Sequence, residues 1–148
     1  MKVLFDTSIW VEHLRHGVLT PVIPALRGKY QLWCDSVVAA ELTAGCRSKS
    51  ERRTVSAMLA PFTRAGRLAS PLATDFDRAA RALSRLSERG RNLSSPTTAL
   101  LDGLIATVGV RLGALVVTVN HRDFAKLAEE LPLRMHAWDV FVQRLGAP

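Results

Sequence analysis

The chain has 148 residues, 48% of them hydrophobic, which is enough to close a single core of ordinary size and excludes a disordered chain. No apolar run approaches the roughly 20 residues of a membrane span, and Met1-Lys2 leads straight into Val3-Leu4-Phe5, too short for a secretion signal; a cytoplasmic protein without a membrane anchor is expected. The net charge of +7 is confined to one stretch: residues 47–91 hold 11 Lys and Arg against 4 Asp and Glu, while the remainder holds 9 against 9.

A concentrated excess of this kind suits a polyanionic partner, nucleic acid or an acidic protein, although a solvated Arg-rich face would look the same. Cys34 and Cys46 are too few for a disulfide framework and read as buried free thiols.

In chain order, Lys2–Phe5 predicts a strand and Thr7 to about His16 a helix. Pro21–Arg27 predicts a short helix ended near Gly28, and Tyr30–Trp33 a strand. Ser36 is placed to cap a helix reaching about Cys46. Another helix is expected over about Ser50–Phe62, then a brief strand at Arg67–Ala69. From Asp75 to Arg89 the period is helical, with Phe76, Ala79, Ala80, Leu83 and Leu86 on one face and Arg78, Arg81, Arg85 and Arg89 in a stripe opposite. Ser95-Pro96 opens a helix that runs to about Leu112, with Gly113 as its cap. A strand over Leu115–Val119, a helix over Arg122–Glu130, a strand over Leu133–Met135 and a helix over Trp138–Leu145 complete the chain. Short apolar strands alternating with helices predict a single α/β domain, residues 1–148, with a mostly parallel sheet.

Three carboxylates stand in apolar places. Asp6 follows the first strand directly, where open parallel sheets collect ligands, although a lone strand-end Asp serves equally as a helix cap. Glu41, in Val37-Val38-Ala39-Ala40-Glu41-Leu42, and Asp102, in Ala99-Leu100-Leu101-Asp102-Gly103-Leu104-Ile105, are isolated charges on nearly all-apolar helices. Such a group has to be protonated, paired or bound to a cation. No Lys or Arg lies within one turn of either, so an ion-pair partner has to come from elsewhere. Several hard oxygen donors in one crevice suit Mg²⁺, or Mn²⁺, and the basic surface then suggests phosphodiester chemistry.

The ordered segments Phe5-Asp6-Thr7-Ser8, Ala40-Glu41-Leu42, Leu101-Asp102-Gly103-Leu104-Ile105-Ala106 and Thr118-Val119-Asn120-His121-Arg122-Asp123-Phe124 resemble the motifs of PIN-domain nucleases, and among them the VapC-type toxins of toxin–antitoxin pairs. The resemblance covers essentially the whole chain. It implies a three-layer α/β/α sandwich and a metal-dependent endoribonuclease acting on RNA. It also implies a VapB-type antitoxin as partner, and commonly a homodimer. It places Asp6, Glu41 and Asp102 in the acidic metal site, with Ser8 and Thr118 as hydroxyls bonding the first acid or its water. Leu101 and Gly103 depart from the usual Asn and Ala. At the fourth acidic position stands Asn120, and Asp123 follows three residues later. Either completes the site, Asp123 through its charge and Asn120 as a neutral ligand or water-holder.

The alternative is a PIN-like RNA- or protein-binding module with a weak or inactive site. A phosphate-handling enzyme of the haloacid dehalogenase type fits less well, since it wants an acid two residues after Asp6, where Ser8 stands. The Arg78, Arg81, Arg85 and Arg89 stripe is expected to hold RNA or antitoxin. His13 and His16 read as exposed helix histidines, and His121 as part of a turn. Trp10, Trp33 and Trp138 belong to the core or a dimer interface. Asp35 is expected to support a helix start, and Asp75 and Asp77 to occupy a first helical turn.

Overall fold

The structure is a computed structural model that describes residues 1–26 and 28–146. Five strands, β1 (Lys2–Phe5), β2 (Gln31–Asp35), β3 (Leu68–Ala69), β4 (Leu115–Thr118) and β5 (Arg134–Ala137), form one sheet in the order β3-β2-β1-β4-β5. Every described pairing is parallel. The helices are α1 (Thr7–His16), α2 (Ile23–Leu26), α3 (Ser36–Ala44), α4 (Lys49–Arg64), α5 (Ala73–Glu88), α6 (Pro96–Leu112), α7 (His121–Glu130) and α8 (Trp138–Gly146). They complete the three-layer α/β/α sandwich expected for the chain.

The two central strands explain their own sequence. Val3, Leu4 and Phe5 of β1 and all of β4 are buried, as an inner parallel strand covered on both faces requires. Phe5 anchors the core, with the rings of Trp10, Trp138 and Phe141 meeting it edge-on at about 6 Å. Trp33 is only half-buried, its indole N–H held by Gln31. Helix α6 is buried continuously from Gly103 to Gly109. Close approach accounts for both glycines. A Cβ on Gly109 would stand 2.4 Å from Val116 Cγ2, and one on Gly103 would stand 3.2 Å from the Ala79 Cβ of α5. The departure from Ala at position 103 therefore fits an unusually tight α5–α6 contact.

Several boundaries move. Of the helix expected over Pro21–Arg27, the structure has Ile23–Leu26, and Arg27 lies outside the described residues. Strand β2 runs on to Asp35, so Asp35, not Ser36, caps α3, accepting the Val37 N–H at 2.8 Å. Strand β5 lies later than expected, at Arg134–Ala137, and α5 starts earlier, at Ala73.

The face of α5 is also rotated. Its buried residues are Asp75, Ala79, Ala82 and Leu86, while Phe76 is 48% exposed. Alanine on both candidate faces makes the period ambiguous, and the tight packing at Gly103 selects the face carrying Ala79. His16 is exposed as expected. His13 is half-buried, its Nδ1 accepting the Leu19 N–H.

Candidate active site

Sheet order makes the site. The chain moves outward from β1 to β2 and β3, then crosses back to β4 on the other side of β1, which makes the β1/β4 boundary a topological switch point. With Phe5 abreast of Val117, the next residues, Asp6 just beyond β1 and Thr118 at the end of β4, stand side by side, and Asp6 N–H bonds Val117 C=O at 3.0 Å. Asp6 also caps α1 through Ser8 N–H, at 2.6 Å.

The hydroxyls of Ser8 and Thr118 are both committed to Asp6. Ser8 Oγ donates to Oδ1 and Thr118 Oγ1 to Oδ2, each at 2.5 Å. Each hydroxyl oxygen in turn accepts a backbone N–H, Ser8 Oγ from Val119 at 3.0 Å and Thr118 Oγ1 from Asn120 at 2.8 Å. Each hydroxyl accepts from the backbone through one lone pair and turns its single hydrogen toward the carboxylate, so the Asp6 rotamer is fixed from both sides.

Glu41 on α3 and Asp102 on α6 are half-buried. Thr7 Oγ1 donates to Glu41 Oε2 at 2.5 Å, so the residue between Asp6 and Ser8 holds the second acid. Asp102 accepts no hydrogen bond among the described residues, and its carboxyl is pushed up to about 7, by burial first and then by the charges of Asp6, Glu41 and Asp123. Asp102 is therefore the group on which the field of the other three converges. The Asp6 carboxyl is also raised, because burial outweighs its hydrogen bonds from Ser8 and Thr118.

Asp123 is placed differently. It is buried, yet both its oxygens accept Ser94 N–H at 3.0 Å, with further donation from Ser94 Oγ, Asn120 Nδ2 and Lys126 Nζ. Burial raises its pKa, but the bonds from Ser94, Asn120 and Lys126 overcome this and hold it below the usual carboxylate range. Asp123 and Asn120 are thus bonded to each other, and Asp123 fastens the loop before α6.

Among the described residues, no three Asp, Glu, His or Cys side chains close around a single ion position. The donor set nevertheless suits a hard divalent cation. It is all carboxylate oxygen, it includes one acid with no protein donor, and the charges of the other three raise the proton affinity of Asp102, which a cation would reverse. Of the residues that hold the acids, Thr7 and Ser94 carry no signal in sequence spacing, whereas Lys126 stands three residues after Asp123 on one helix, a spacing that favours their pair. The partners of Thr7 and Ser94 lie 34 and 29 positions away, and only the fold brings those pairs together.

The arginine stripe on α5 is largely spent within the molecule. Arg85 and Arg89 both reach Glu130 of α7 at 2.6 Å, and Arg81 pairs with Asp77. Of the four, only Arg78 is outside an ion pair among the described residues. A groove of about 550 Å³, lined by Val11, Leu14, Leu42 and Val55, also takes in Glu41, with Arg15 and Arg47 on its exposed parts.

Burial has a consequence for pH. Asp35 at the end of β2 is fully buried, and its Oδ2 has no partner. Its carboxyl is pushed up to about 7, by burial against the opposing Val37 N–H and Arg111, with Asp75 and Glu41 adding to the rise. Asp35 and Asp102 keep their protons in the fold at pH values where the unfolded chain has released them. Their contribution to stability is complete below about pH 4 and is lost as pH rises through about 7. Asp123 has the opposite sign, stabilising above the ordinary carboxylate value and lost only on further acidification. Urea unfolding of the parent is expected to lose stability between about pH 4 and pH 7, and Asp35→Asn and Asp102→Asn each to flatten that slope. Variants with the slope of the parent would show that the two carboxyls are ionised throughout.

Fold and site together define a class: a parallel α/β domain whose switch-point crevice is lined with carboxylates and has a fixed aspartate at its centre. The chain belongs to the PIN domain family, whose model matches residues 3–130. PIN domains are as a class nucleases. No curated protein sequence matched the chain. Among solved structures it is similar to a chain of VapBC-1 from nontypeable Haemophilus influenzae, at 18% identity and a TM-score of 0.70, covering 94% of this chain and 99% of that one. It is also similar to a chain of VapBC2 from Rickettsia felis bound to a DNA fragment from its promoter, at 22% identity and a TM-score of 0.68, covering 94% and 100%. A third is a chain of FitAcB from Neisseria gonorrhoeae, at 18% identity and a TM-score of 0.68, covering 91% and 96%. No described helix is long and apolar enough to cross a membrane.

Proposed function

We propose that this chain is the toxin of a toxin–antitoxin pair, an endoribonuclease that hydrolyses RNA phosphodiester bonds with Mg²⁺, or Mn²⁺, as cofactor and is held in check by a VapB-type antitoxin. The observation that carries the reading is Asp102, unbonded by protein donors and flanked by the charges of Asp6, Glu41 and Asp123 at the switch point. Asp6, Asp102 and Glu41 would hold the cation, with Asp123 beside them. A bound divalent ion supplies charge neutralisation at the phosphodiester and acidifies the attacking water.

The chain's own work is orientation. Ser8 and Thr118 fix Asp6, Thr7 fixes Glu41, and Ser94 with Asn120 and Lys126 holds Asp123 ionised. The alternative of an inactive binding module draws on one observation, the full set of donors already on Asp123. For a homodimer the support is an outward apolar surface on α5 and α6, where Phe76 and Leu100 are 48% and 43% exposed beside a hollow lined by Ala80, Leu83, Pro96 and Ala99.

Purified protein is expected to degrade RNA with Mg²⁺ or Mn²⁺ and to stop in EDTA. Millimolar Mg²⁺ is also expected to raise the melting temperature, since an ion that binds only the folded state stabilises it. Cleavage that persists in EDTA would overturn the metal-dependent mechanism.

A further inference from the structure

We propose that the exposed cationic face of α4, formed by Lys49, Arg52 and Arg53 with Arg47 just before the helix, holds the phosphate backbone of the RNA substrate and delivers it to Glu41. The proposal rests on the ribonuclease reading above and adds the surface that grips the substrate. Four observations carry it.

The first is periodicity. Lys49, Arg52, Arg53 and Arg64 fall within about a third of the helix circumference at 100° per residue, and the buried Val55 and Phe62 lie about 120–140° round from the centre of that face. The second is availability. Arg47, Lys49, Arg52 and Arg53 are exposed, and among the described residues none takes part in an ion pair. The single acid of α4, Glu51, forms no ion pair with them among the described residues; its carboxylate accepts the backbone N–H of Arg47 at 2.6 Å, and four cations against this one acid leave the face positive. The α5 stripe, by contrast, has three of its four guanidinium groups paired with acids of the same chain.

The third observation is shape. Between the cations the surface is made of Ser56, Ala57 and Ala60, a shallow depression without bulky side chains that lets a backbone lie against the helix. The fourth is continuity. The next faces of α4, through Ser50, Thr54 and Val55, line the groove that contains Glu41, with Arg15 and Arg47 there as well. Cations that bind phosphates without reading bases suit this flat helix face, whereas an acidic protein would need shape complementarity that the depression does not offer. Arginine and lysine on one helix face bind phosphate in a salt-dependent manner through counterion release.

The test compares the parent, a Lys49→Gln/Arg52→Gln/Arg53→Gln variant and an Arg81→Gln/Arg89→Gln variant of the α5 stripe, which removes two cations already paired with acids of the chain. All the changed residues are exposed, and melting curves check that each variant folds. Binding of a fluorescein-labelled single-stranded RNA oligomer is followed by anisotropy in EDTA over a range of salt concentrations. Loss of the α4 cations is expected to weaken binding about tenfold or more at moderate salt and to reduce the slope of log K against log salt by about 2, at roughly 0.7 per phosphate contact. The α5 variant is expected to bind within about twofold of the parent.

An α4 variant with the affinity and slope of the parent overturns the proposal while leaving the nuclease reading intact. The same holds if that variant keeps its RNA affinity but loses only its response to a co-expressed antitoxin, since α4 is then a protein face. A parent protein that neither binds nor cleaves RNA sinks the ribonuclease reading itself, and this surface with it.

Discussion

Asp102→Asn is expected to abolish RNA cleavage and growth inhibition while leaving the fold at least as stable as the parent. The two effects come from one cause. Asp102 sits in the combined field of Asp6, Glu41 and Asp123, and its carboxyl is pushed up to about 7, so ionising it at neutral pH costs folding free energy. The amide keeps the volume and removes the charge. Allowing for the half-exposure of the side chain, a gain of about 1 kcal/mol is expected, worth a few degrees in melting temperature. Activity should meanwhile fall by about a hundredfold or more, as for loss of a principal electrostatic contact at a reacting phosphate. The melting response to Mg²⁺ should shrink as well.

Asp6→Asn makes a useful contrast. Asp6 caps α1 and accepts both hydroxyls, so its amide leaves a donor facing Ser8 or Thr118 and is expected to lose stability along with activity. A folded Asp102→Asn protein that still cleaves RNA at the parent rate would remove this residue from the site. A folded variant that is inactive but less stable would contradict the electrostatic account of its burial.

The acids of the candidate site were legible in sequence because each breaks an apolar context. Asp6 ends a strand of buried residues, and Glu41 and Asp102 interrupt helices with no cation within a turn. Burial is a property a sequence pattern reports well, since apolar neighbours are what bury a group. Pairing is not. Asp75 stands in the first turn of α5 as expected, and what the spacing did not report is that it is fully buried against Arg111, 36 positions later. The α5 arginines showed correct helical spacing, but Glu130, which takes two of them, lies on a helix that only the fold brings alongside. Arg81 and Asp77 are an exception, because a spacing of four residues on one helix already predicts their pair. The rotated face of α5 shows a further limit. Where both candidate stripes contain alanine, the periodicity does not choose between them, and the close approach at Gly103 does.

The buried pair just named carries the largest expected stability effect outside the site. Asp75 is fully buried. Its Oδ2 accepts Arg111 Nε at 2.8 Å and Leu72 N–H at 2.9 Å, and its Oδ1 has no partner. Arg111 also donates through Nη2 to Ser70 C=O at 2.7 Å, so one side chain ties the end of α6 both to the segment leaving β3 and to the first turn of α5. Arg111→Met keeps most of the aliphatic volume and leaves Asp75 with a single backbone donor. An uncompensated buried carboxylate of this kind costs about 3–5 kcal/mol. For a domain of this size that corresponds to a fall of roughly 10 °C or more in melting temperature.

Asp75→Asn alone keeps the acceptor for Leu72 N–H and removes the buried charge, so its cost should be smaller. The double variant Arg111→Met/Asp75→Asn is expected to recover a good part of what Arg111→Met loses, because the stranded charge is gone. Thermal and urea unfolding of the four proteins closes the cycle. If the double variant loses the sum of the two single losses, Arg111 acts through its bond to Ser70 and its packing, and the charge of Asp75 is not what it compensates.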